Sequence, residues 1–86
     1  PVVTDDEELH SAREMVENLL FEMNKNWKIH DFRMVRGNTH TNLLFDLVVE
    51  ASDMLHAKEI EEAVKKKIYD VDIHYYAVIK VEQSYV

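Results

Sequence analysis

The sequence predicts an α+β domain of order αββαβ, with two helices on one face of a three-stranded mixed sheet. Three observations carry this. An apolar stripe at helical spacing opens the chain, and two segments of alternating polarity flank its single glycine. A second helical pattern then separates those two segments from a last alternating one. A strand–helix–strand succession calls for a parallel pair joined by a right-handed crossover. With 86 residues, of which 47% are hydrophobic, the chain is expected to be one folded domain spanning 1–86. Its size is close to the lower limit for an unaided core, so a partner subunit or a metal would add useful stability.

The first helix is expected from Thr4 to Asn24. Thr4 with Glu7 reads as a capping box, and Asp5, Asp6, Glu7 and Glu8 suit the positive end of the helix dipole. Leu9, Ala12, Val16, Leu19, Leu20 and Met23 form its apolar stripe. Two strands follow, Ile29–Arg36 and Thr41–Glu50, around the turn Arg36-Gly37-Asn38-Thr39, where Gly37 is expected to supply a positive φ. Ser52 or Asp53 can cap a second helix from Asp53 to Tyr69. Its inner stripe is Met54, Ala57, Ile60, Val64 and Ile68, and Lys65, Lys66 and Lys67 stand at its C-terminal end. A turn at Asp70 to Asp72 leads into the last strand, His74–Glu82.

Charge narrows the function. Ten Lys and Arg against seventeen Asp and Glu leave a net charge of −7. Such a chain is repelled by nucleic acid and by anionic membrane surfaces, and it favours cations. The absence of cysteine removes disulfides, thiolate zinc sites and thiol redox chemistry, so any metal would rest on His, Asp, Glu, backbone or water. The longest apolar run, Leu43 to Val49, is interrupted by Asp46, so no membrane insertion by this chain is expected. The start, PVVTDDEEL, has no signal-peptide features, and its lack of an initiator Met is what an excised fragment would show. No Ser-His-Asp arrangement, phosphate loop, HExxH or nucleophilic Cys is present, and no enzyme is expected. Arg36 beside Asn38 is a weak anion-holding signal.

Two helices on one side leave the other face of the sheet open, and alternation assigns residues to it. Leu43, Phe45, Leu47 and Val49, with Tyr75, Ala77, Ile79 and Val81, belong under the helices. Leu44, Asp46 and Val48, with His74, Tyr76, Val78, Lys80 and Glu82, belong outside. The first strand reads either way, as Ile29, Asp31, Arg33, Val35 or as His30, Phe32, Met34, Arg36. With the second set outward, the open face carries Phe32, Met34, Leu44, Val48, Tyr76 and Val78, an apolar patch of the kind that marks an interface. Two-fold self-association is the default for it. The same face gathers His30, Asp46, Lys80 and Glu82. Taken singly, each histidine has an ordinary explanation. His10 is solvated, His40 is a loop residue, His56 can pair locally with Asp53 or Glu59, and His30 can pair with Asp46 across the ladder. Lys80 and Glu82 can form an exposed salt bridge.

The stretch IHDFRMVRGNTHTNLLFDLVV (Ile29 to Val49), followed by AKEIEEAVKKKI and HYYAVIKVEQSYV, resembles the cytoplasmic C-terminal domain of cation diffusion facilitator transporters, and the similarity covers nearly the whole chain. The resemblance implies a metallochaperone-like, ferredoxin-like two-layer sandwich that homodimerises beneath the transmembrane part of a proton-coupled divalent-cation exporter. Its place would be the cytoplasmic face of the cell membrane, and its function metal-sensing regulation of zinc-type efflux. His30 matches a metal-binding His of the family, and Glu82 matches a carboxylate ligand. Asp46 falls where many members carry a second His, Lys80 where several carry a ligand His, and Met54 where relatives place a His, with His56 two residues on. The implied metal set is therefore His30, Asp46 and Glu82, with His56 and His40 secondary. Zinc is the foremost ion, and manganese, iron, cobalt and cadmium are compatible with such ligands. The alternative reading is a purely structural dimerisation module of the same transporter without a working metal site.

Overall fold

The computed structural model describes residues 3–85, with side chains from 7 to 85. The order is α1 (Val3–Met23), β1 (Lys28–Arg36), β2 (Thr41–Val49), a 3-10 segment (Ala51–His56), α2 (Ala57–Val71) and β3 (Tyr75–Gln83). The sheet runs β1-β2-β3, antiparallel between β1 and β2 and parallel between β2 and β3. That is the αββαβ α+β architecture expected. The Thr4 cap and the Asp5 and Asp6 side chains lie outside the described residues.

One core joins the layers. Ala12, Val16 and Leu20, spaced by four on α1, and Val64 and Ile68 on α2 are buried against Leu43, Phe45, Leu47 and Val49 of the central strand. Ile29 and Ile79 close it from the two edge strands. The central strand alternates fully buried with half-buried positions, as one covered face requires. Trp27 pins the α1–β1 loop to the 3-10 segment, its indole N–H donating to Asp53 Oδ2 at 2.9 Å.

Four local expectations change. The second helix is preceded by the 3-10 segment, whose N-cap is Glu50; Asp53 stands three residues inside and accepts from the Glu50 N–H at 3.3 Å. The cap of the 3-10 segment is therefore Glu50 and that of α2 is His56, not Ser52 or Asp53. Helix α2 runs on to Val71, so the three lysines do not occupy its last turn. Lys65 and Lys66 instead pair along the helix with Glu61 at 3.0 Å and Asp70 at 3.1 Å. Gly37 does not adopt a positive φ. Its requirement is space: its N–H donates to the His40 carbonyl at 2.8 Å, and a Cβ built there would stand 2.8 Å from that oxygen.

The fourth change concerns β1. His30 lies opposite Asp46 but Arg33 lies opposite Leu44, so Asp31 and Phe32 together face the single residue Phe45. Asp31 has φ of 62°, the left-handed first position of a β-bulge. The extra residue inverts the alternation halfway along the strand. Ile29 points under the helices before it, and after it so do Phe32 and Met34. Phe32 stacks on Phe45 with ring centroids 5.8 Å apart. Asp tolerates the left-handed region better than most residues, whereas a β-branched side chain does not. Asp31→Gly is accordingly expected to stay within about 1 kcal/mol of the parent in urea unfolding. Asp31→Val should lose about 1–3 kcal/mol, and an unchanged midpoint would show that the bulge places no demand on this position.

Candidate functional site

The open face is built in rows, because residues paired across neighbouring strands share a side of the sheet. One row is Lys28, Val48 and Glu82, and the next is His30, Asp46 and Lys80. Beyond the bulge come Arg33, Leu44 and Val78, then Val35, Asn42 and Tyr76. The first two rows are ionisable and the last two largely apolar. Tyr76 and Val78 are half exposed, as is Val35 at the β1 edge.

Of the six residues expected on the apolar patch, Leu44, Val48, Tyr76 and Val78 stand on the open face. Phe32 and Met34 do not: the Asp31 bulge turns both under the helices, and Val35 takes their place at the β1 end of the patch. Alternation in the sequence begins β1 after Lys28, and offers Arg33 and Val35 on this face only in the set that puts Ile29 and Asp31 there instead of His30. The signal was a change of phase, since the apolar positions Ile29, Phe32 and Met34 belong to one side only if a residue is inserted between the first two.

Among the expected metal ligands, His30 and Asp46 are direct neighbours, and neither side chain makes a hydrogen bond or ion pair among the described residues. Glu82 is in the adjoining row, diagonal to Asp46, and pairs with Lys80, whose Nζ lies 3.4 Å from Glu82 Oε2. Lys80 itself stands directly opposite Asp46. An ammonium group thus occupies the part of the face where the carboxylates would meet a metal, and while charged it has no lone pair to offer one. Among the described residues, no three His, Asp or Glu side chains converge as a metal-holding group within one copy. A cation held by His30 and Asp46 would need water or a second copy to complete its shell.

The secondary candidates lie elsewhere. His56 ends the 3-10 segment, exposed, with Nδ1 3.9 Å from Glu59 Oε1. His40 precedes β2 and stacks on Tyr76 at 4.3 Å, with Tyr69 edge-on to the same Tyr76 ring at 6.3 Å. Its Nδ1 is 3.1 Å from Thr39 Oγ1. His74, expected at the start of the outer face, instead folds back in the turn before β3, where its N–H and ring meet Asp72 Oδ1 at 2.9 and 3.1 Å. That backbone hydrogen bond, followed by the ring, holds the exposed Asp72 carboxyl below its ordinary range. Burial, then the Glu8 and Asp72 charges, raise the Tyr75 hydroxyl. Arg36 is engaged by the Glu8 carboxylate, tying α1 to the end of β1, so it is not positioned as an anion-holding loop residue.

This fold, a mixed three-stranded sheet with one covered and one open face, is shared with solved domains of metal transporters. A structure concerned with the mode of action of CzrB, a candidate zinc transporter, superposes with a TM-score of 0.73 at 21% identity, over 86% of this chain and 94% of that one. Its zinc form gives 0.72 at 22%, over 91% and 86%. The metal-bound C-terminal domain of the CzcD transporter from Thermotoga maritima gives 0.70 at 17%, over 92% and 91%. No family profile matches the chain, and no curated protein does.

Proposed function

We propose that this chain is the cytoplasmic C-terminal domain of a cation diffusion facilitator transporter, regulating divalent-cation efflux rather than catalysing a reaction. The observation that carries this is the end-to-end likeness: these metal-transporter structures share the fold over 86–92% of this chain. The open face supports it independently. Leu44, Tyr76 and Val78, with Val35 at the edge, offer an apolar patch beside an ionisable half that includes Val48, on a chain too acidic for nucleic acid. Two copies meeting there would hold zinc, or another divalent ion, between the His30, Asp46 and Glu82 sets, beneath the transmembrane part of the transporter. A second reading rests on the Lys80–Glu82 pair: Lys80 serves as a built-in cation, and the domain is a dimerisation clamp indifferent to metal.

Thermal unfolding and sedimentation of the EDTA-stripped chain, titrated with zinc and manganese, separate the two. Metal binding to the folded form alone stabilises by about 2.7 kcal/mol at 100-fold excess over Kd. For a chain of this size that is a rise of roughly 10–20 °C, accompanied by a shift from monomer to dimer and lost in His30→Ala. A dimer whose melting and sedimentation ignore both ions and EDTA would leave the clamp as the function. A monomer under all conditions would reject both.

A further inference from the structure

At the free edge of β1, the C-terminal end of α1 and the following loop enclose a cleft of about 490 Å³. Its apolar lining includes Phe21, Trp27 and Ile29, with Lys25 and Lys28 beside them. Phe21 is 65% exposed, an unusual position for a phenylalanine on a helix that also supplies the core. Trp27 is held by its bond to Asp53, so the indole side of the cleft is in place before anything binds.

The charges are distributed unevenly. Although the chain is strongly anionic, six of its ten Lys and Arg, namely Arg13, Arg36, Lys58, Lys65, Lys66 and Lys80, are engaged by carboxylates. Of the other four, Lys67 and Arg33 lie away from the cleft and Lys25 and Lys28 line it; both lysines are exposed, and neither makes a hydrogen bond or ion pair among the described residues. The one carboxylate lining the cleft, Glu17, is held by Arg13 at 3.3 Å. An anionic surface therefore opens locally into two uncommitted ammonium groups flanking an aromatic cleft.

We infer that this cleft is a docking site for an acidic peptide segment bearing a bulky apolar residue, on a protein partner. The apolar residue seats between Phe21 and Trp27, where area and a rigid indole supply affinity. Its acidic neighbours reach Lys25 and Lys28, which supply orientation and salt dependence. The cleft lies at the outer edge of β1 and borders the open face at Lys28 and His30, but the contacts assigned to the peptide use neither His30 nor a metal.

Trp27 is the only tryptophan of the chain, so indole fluorescence comes from a wall of the cleft. A capped EELFEE peptide is expected to shift Trp27 emission saturably, with weaker binding at high salt, while KKLFKK gives no shift. The double variant Lys25→Glu, Lys28→Glu should bind at least about tenfold more weakly at unchanged circular dichroism, since neither lysine has a partner to lose. Phe21→Ser should weaken binding comparably. No shift with EELFEE, or equal affinity in the charge-reversed variant, would overturn the assignment. A shift with phosphatidylserine vesicles and not with the peptide would also overturn it, assigning the cleft to a membrane surface.

Discussion

In saturating zinc, Lys80→His is expected to rise further above its own EDTA-treated form than the parent does above its own, by roughly 5–10 °C for a tenfold tighter site. The reason is the row His30, Asp46, Lys80, one residue from each strand, all on the open face. Neighbouring positions in such a row stand about 4.5–5.5 Å apart at Cβ, within reach of a shared ion by two flanking imidazoles over a central carboxylate. Substitution removes the ammonium group, releases Glu82 from its 3.4 Å pair, and adds a nitrogen ligand in one step. In the pair given up Lys80 is largely exposed and Glu82 partly so, and such a solvent-reached pair contributes little to stability. Differential scanning calorimetry with and without zinc checks the result. A variant that responds no better than the parent would show that Lys80 is not what limits the site.

Leu47→Ala is expected to cost about 2–5 kcal/mol, against a total stability of roughly 4–13 kcal/mol for a chain of this length. Leu47 has no exposed surface and lies between Ile29 and Val81 on the central strand, beneath both helices. Truncation there removes packing from all three strands, and a dense interior recovers little by relaxing. The melting temperature should fall by roughly 10–25 °C. Leu55→Ala is the control: its side chain is 84% exposed, and the change should stay within about 0.5 kcal/mol. Urea titration of both variants checks the contrast, and a Leu47→Ala loss below about 1 kcal/mol would contradict the core described above.

The element order, the mixed topology and the covered side of β2 and β3 were all legible in the sequence. Periodicity reports burial wherever an element is regular, and Leu43, Phe45, Leu47 and Val49 alternate without interruption. The extra length of α2 was not legible, because Asp70 and Val71 have no periodic role that distinguishes a last turn from a loop. The reading of Gly37 named a special position correctly and its cause wrongly. A close approach of the His40 carbonyl and a positive φ both select glycine, and one sequence does not separate them.

The candidate site divides along the same line. Composition and alternation by themselves determined an acidic, cysteine-free αββαβ chain with an open sheet face carrying Asp46, Lys80 and Glu82. Only the tertiary structure decided that His30 shares that face while Phe32 and Met34 leave it, and that Glu82 turns to Lys80. Both outcomes depend on which residue lies opposite which. One inserted residue at Asp31 reverses every side chain after it, and an ion pair between neighbours competes with a metal only where the strands bring them together.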